Sequence, residues 1–155
     1  MAGSGNGGNG EKIAKVAEYL DQKDIAFEQI DEKTLVVPYE IDGKFFKPII
    51  TIQGKWLLVS ALIIDADALP SNDDAYLRLL YAKILQATHD LHEINYDIDE
   101  NGSLYVSCDM KYDITDYDNF FSEFFAIPSG IKYFMEKIAP TMDPKIEVTG
   151  CIEET

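Results

Sequence analysis

The chain has 155 residues, which fits one domain with a single core, because a chain of roughly 150 residues buries about 68–70% of its unfolded surface. Twenty-eight acidic residues against thirteen basic ones give a formal net charge of -15. That charge repels phosphate backbones and anionic headgroups, and with Arg78 the only arginine there is no bidentate phosphate clamp, so nucleic acid and membrane surfaces are poor partners.

Residues 1–10 (MAGSGNGGNG) are rich in Gly, Asn and Ser and are expected to form a flexible leader. Over residues 11–23, Ile13, Val16, Ala17 and Leu20 recur at i, i+3, i+4, i+7 with Lys12, Lys15, Glu18 and Asp21 outside, which predicts an amphipathic helix. Extended runs follow at residues 25–30, 34–41, 45–53 and 56–64, an antiparallel meander punctuated by polar turns. Asp42-Gly43 predicts a two-residue type I′ turn that sets Ile41 opposite Lys44, Tyr39 opposite Phe46 and Val37 opposite Pro48. Pro38 and Pro48 each remove a ladder donor, so both are expected at outward-facing edge positions or bulges.

Ser71 and Asp74 resemble a capping box and place the start of a second helix there. Its stripe is Leu77, Leu80, Tyr81, Ile84, Thr88 and Leu91, broadened by Leu79 and Ala82. A second hairpin, residues 93–99 and 104–112, pairs Ile98 with Leu104, Tyr96 with Val106 and Ile94 with Cys108, all inward, leaving Asn95, Asp97, Tyr105 and Ser107 outward. A third helix begins near Asp116, is interrupted at Ile127-Pro128-Ser129-Gly130 and ends before Pro140. Residues 141–155 read as an acidic tail or a short extra strand. Cys108 and Cys151 lie far apart, no apolar run approaches about 18 residues and no signal segment is seen, so a reduced cytoplasmic protein is expected.

No catalytic constellation emerges. Asp97-Ile98-Asp99-Glu100-Asn101-Gly102 matches the opening of a calcium loop, but Cys108 stands where a bidentate Glu is needed and the flanks alternate as strands; a hairpin turn with Gly102 left-handed explains the residues. His89 and His92 have no third ligand and suit a helix C-terminus. Ser60, Ser107, Ser122 and Ser129 lack a nucleophile-elbow context, and the carboxylates are spread over solvent faces. Neither an enzyme, a metal nor a cofactor is expected. Phe120, Phe121, Phe124 and Phe125 read as core packing, with a ligand pocket as the alternative.

The apolar excess lies in the first meander. Residues 56–64 are apolar at both parities, so this strand needs cover on two faces. Phe45, Ile49, Leu57, Val59, Ala61, Ile63 and Leu79 are the candidate partner-binding residues, for a polypeptide or a second copy of the chain.

The order α-β-β-β(-β)-α-β-β-α, an α+β fold with helices packed on one face of an antiparallel sheet, resembles that of the type III secretion chaperones and the YbjN family. The resemblance covers residues 11–138 within a single domain, residues 11–140. It is carried best by Leu77-Arg78-Leu79-Leu80 running into Tyr96-Asp97-Ile98-Asp99-Glu100-Asn101-Gly102-Ser103-Leu104. Where relatives often have an Asn within that helix, this chain has Ala82-Lys83. The resemblance implies a homodimer that binds an extended polypeptide along apolar sheet and helix surfaces without ATP. A second function class, a small-molecule sensory or regulatory domain with a pocket at Phe120–Phe125, would need a closed cavity among those rings.

Overall fold

The structure is a computed structural model that describes residues 5–151. Its first helix, α1 (Gly5–Gln22), buries Ile13, Val16 and Leu20. Residues 5–10 of the expected leader belong to this helix, and residues 1–4 lie outside the described part. Extending an existing ladder adds one hydrogen bond per residue fixed, which is cheaper than nucleation and carries the helix back into poor helix formers.

The meander comprises β1 (Glu28–Asp31), β2 (Thr34–Val36), β3 (Tyr39–Ile41), β4 (Lys44–Phe46), β5 (Ile49–Gln53) and β6 (Trp56–Ile64). Pro38 and Pro48 cut two long runs into four strands. Val37 N–H still donates to the Pro48 carbonyl at 2.9 Å across the break. Pro38 is exposed as expected, but Pro48 is buried, because at the break its ring turns toward the core instead of the sheet edge. Beyond the break, β3 and β4 form a separate ribbon with the expected register, Tyr39 opposite Phe46 and Ile41 opposite Lys44. Asp42 and Gly43 both have positive φ, 51° and 78°, as the turn type requires. The ribbon leans toward the helices: Ile41 and Phe46 are buried, and Tyr39 meets Phe124 edge-on at 6.5 Å.

The helix α2 (Asp74–Asp90) follows, capped by Asp73, whose carboxylate accepts the Tyr76 N–H at 3.0 Å. Ser71 is therefore not the cap; the same kind of bond is made two residues later. The hairpin β7 (Asn95–Ile98) and β8 (Leu104–Lys111) keeps the expected pairs, Tyr96 with Val106 and Ile98 with Leu104. Tyr96 and Val106 are buried, whereas Ile98 is exposed, since β7 is the last strand of the sheet and its end has nothing beyond it.

The main sheet is antiparallel, in the order β1-β2-β5-β6-β8-β7. The last helix, α3 (Tyr117–Tyr133), is capped by Asp116 and packs on β8 and β6, while α1 packs on β5 and β2. Contrary to the expected interruption, α3 runs through Pro128. A proline in a helix interior costs about 3 kcal/mol, but Phe124, Ile127 and Ile131 are fully buried on both sides of it, and each contributes about 1.5–3 kcal/mol. One π-helical turn (Phe134–Ile138) and one 3₁₀ turn (Ala139–Thr141) close the helical layer. The segment read as a tail is packed: Met142, Ile146 and Val148 are buried, up to the last described residue, Cys151.

Candidate polypeptide-binding surface

The cross-strand registers line up the residues of each sheet face. The helix side carries Leu35, Ile50, Val59 and Cys108 in one row, each buried. The opposite side carries Val36, Ile49, Ser60, Ser107 and Asn95 in one row, Thr34, Thr51, Leu58 and Asp109 in the next, then Gln53, Trp56 and Lys111. Leu62, Tyr105 and Asp97 form a further row on that side. None of these outer-face residues is buried. The β2-β5-β6 half carries Val36, Ile49, Trp56, Leu58 and Leu62 interspersed with Thr34, Thr51, Gln53 and Ser60, and the β7-β8 half carries hydroxyls and carboxylates with Asn95 and Lys111.

That polar half is wired internally. Ser107 Oγ donates to Asp97 at 2.5 Å, and the Tyr105 hydroxyl donates to Asp99 at 3.2 Å. Burial, then the Asp99 hydrogen bond and the charges of Asp99, Asp65 and Asp97, hold the Tyr105 proton on above the usual phenol range. A sheet face that is apolar on one side and negative on the other suits an extended chain with apolar and basic residues.

Of the seven candidate partner-binding residues, Leu57, Val59, Ala61 and Ile63 are at most 3% exposed and face the helices. They are core, and the surface on β6 is the other parity, Trp56, Leu58 and Leu62. The signal was present: Ser60 shares its parity with those three, and a polar residue in an otherwise apolar strand marks the solvent side. Ile49 (44% exposed) lies on the outer face, Phe45 (42%) on the ribbon and Leu79 (49%) on α2, where Leu85 is exposed too. The structure thus separates Phe45, Ile49 and Leu79 onto three different surfaces.

The aromatic cluster is packed ring to ring. Phe120 stacks on Phe124 at 5.7 Å and meets Phe121 edge-on at 5.0 Å. Phe120, Phe121 and Phe124 are buried, and Phe125 borders only an open cleft beside Tyr39 and Pro128. The 97–102 turn uses its oxygens for itself: Asp99 Oδ1 accepts the N–H groups of Asn101 and Ser103 at 2.9 and 3.0 Å. His89 and His92 are exposed, and among the described residues no group of three or more His, Cys, Asp or Glu is arranged to hold a metal ion. Among the described residues no helix is long and apolar enough to cross a membrane.

No family model matches the chain, and no curated protein matches it. Its fold recurs in solved structures. The HopA1-SchA chaperone-effector complex matches with a TM-score of 0.56 at 14% identity, over 81% of this chain and 93% of that one. YbjN from E. coli matches at 0.55 and 20% identity, over 77% and 84%. The ExoU-SpcU complex of the Pseudomonas aeruginosa type III secretion system matches at 0.53 and 10% identity, over 83% and 98%. This chain has the type III secretion chaperone and YbjN fold. In this fold α1 and α3 pack on one side of the sheet, and the apolar and acidic residues described above lie on the other.

Proposed function

We propose that the protein is a non-enzymatic, chaperone-like or adaptor protein that holds an extended polypeptide segment on the outer face of its sheet. The observation that carries this reading is the set of unburied apolar residues Val36, Ile49, Trp56, Leu58 and Leu62 on the face that also carries Asp97 and Asp109. Several apolar side chains gathered on one face mark a contact site, and the flanking carboxylates select basic residues in the partner. A similar fold in a chaperone-effector complex supports a polypeptide as the ligand class. The exposed Leu79 of α2 offers a separate contact for a second copy of the chain, and the two free cysteines suit a reducing cytoplasm.

Trp56 is the only tryptophan and stands on the proposed face, so its fluorescence reports occupancy. Titration with an extended peptide of alternating leucine and lysine should shift the emission to the blue, and less so at high salt. Leu58→Asp should abolish the shift. An unchanged emission at saturating peptide, or a shift that survives Leu58→Asp, would overturn the reading.

A further inference from the structure

The strand β4 has two edges. On one it pairs with β3, where Ile41 and Lys44 flank the turn and Glu40 stands opposite Phe45. In a two-residue hairpin the pair beside the closing one is not hydrogen-bonded, so the N–H and C=O of Phe45 point away from β3. They meet the C-terminal segment of the same chain. The Cys151 N–H donates to the Phe45 carbonyl at 2.6 Å. Gly150 crosses β4 so closely that a Cβ would collide with that oxygen and fall 3.0 Å from Phe45 N, and its φ is +73°; both facts demand glycine.

Upstream, Ile146 and Val148 are buried while Glu147 and Thr149 are exposed, the alternation of an extended segment with one face inward. Its start is tied by the Ile146 N–H to the Ala139 carbonyl at 3.1 Å and by the Tyr76 hydroxyl to the Pro144 carbonyl at 2.7 Å. Between these ties the segment does not fill its groove. A cleft of about 570 Å³ remains beside it, lined by Lys44, Met135, Ala139, Ile146 and Val148 among others.

We propose that the groove between β4 and the Phe134–Ile138 turn is a docking strip for an extended polypeptide with apolar residues at alternate positions, and that residues 146–151 fill it in cis as a displaceable strap. A tethered segment acts at an effective concentration in the millimolar range. A free competitor at micromolar concentration is therefore excluded until the strap lets go. The strip is separate from the outer sheet face, and the two stand or fall independently.

The test uses the full chain, Val148→Asp and Gly150→Val, with a fluorescein-labelled peptide of the 145–151 sequence carrying Cys151→Ser. Both variants should bind the peptide at least about tenfold more tightly than the unmodified chain, as release from millimolar competition requires. A peptide with Ile146→Asp should not bind. Hydrogen exchange should show lost protection at Cys151, whose N–H donates to the Phe45 carbonyl, in both variants, with β6 and β8 unchanged. If Val148→Asp also exposes β6 and β8, Gly150→Val decides alone, because the nearest neighbours of a side chain there are Phe45 and Lys44 of β4. Equal peptide affinity in all three chains, or unchanged protection at Cys151, overturns the proposal. Leu58→Asp, which removes the outer-face site, should leave this binding intact, so the two failures are distinguishable.

Discussion

The Tyr96 hydroxyl donates to the Gly130 carbonyl at 2.6 Å, and a Cβ on Gly130 would stand 2.8 Å from Val106 Cγ2. One residue of α3 is thus held by both strands of the second hairpin. The same carbonyl accepts the Phe134 N–H, so removing the Tyr96 hydroxyl leaves it one partner. Tyr96→Phe should cost about 1 kcal/mol in urea unfolding.

Gly130→Ala should also destabilise. Alanine gains about 1 kcal/mol in helix propensity, but overpacking against Val106 and Ile94 costs about 1–3 kcal/mol. Adding Val106→Ala should recover part of the loss in a double-mutant cycle. Strict additivity of the two changes would show that Gly130 does not set the approach of α3 to β8.

Neighbouring residues on β6 should behave in opposite ways. Leu57→Asp puts a carboxylate among buried apolar groups and should unfold the chain. Leu58→Asp should leave the melting temperature within a few degrees and act on binding only. Equal damage from both changes would contradict the side assignment of the strand, and a pair of melting curves is enough to see it.

Alkaline pH should weaken the fold. Burial, then the charges of Glu123, Asp109 and Glu93, pushes the Cys108 thiol up to about 12, and burial moves Tyr96 upward as well. Groups whose folded values are raised contribute stability that is complete below their unfolded values, about 8.5 for Cys and 10 for Tyr, and that is lost as pH rises through the folded ones. The urea midpoint should therefore fall between pH 8.5 and 10.5, and fall less in Cys108→Ala. Identical slopes in the two proteins would mean that the thiol titrates freely.

Folding should not require calcium or zinc. A metal at 100 times its dissociation constant would add about 2.7 kcal/mol, a shift of several degrees that melting curves with chelator and with added metal would reveal. Asp99 already spends one carboxylate oxygen on two backbone N–H groups and the other on Tyr105.

Local chemistry made much of this fold legible. The Asp42-Gly43 turn and the alternation on either side of the 99–102 turn each set a hairpin register, because turn geometry and a one-sided apolar pattern must agree. Where cover comes from distant segments, the pattern was ambiguous. Residues 57–64 are apolar at both parities except at Ser60, the one mark of the open side, and burial shows that Leu57, Val59, Ala61 and Ile63 are the inner set. Pro128 reads as an interruption because the packing that holds α3 together on both sides of it is tertiary. Residues 141–155 read as an acidic tail or a short extra strand because a segment with few apolar side chains buries little by itself, and the partner of Cys151, Phe45, is about a hundred positions upstream.

The break at Pro38 and Pro48 gives one hairpin two addresses. Ile49, at the start of β5, belongs to the open face of the sheet, and Phe45, in β4, borders the strap. Only Phe46, Lys47 and Pro48 separate them. Phe46 is anchored in the core and Pro48 is rigid, so the connection resembles a stiff elbow more than a loose tether. A long guest lying across that elbow would touch both sites at once, and its grip on one would raise its local supply at the other.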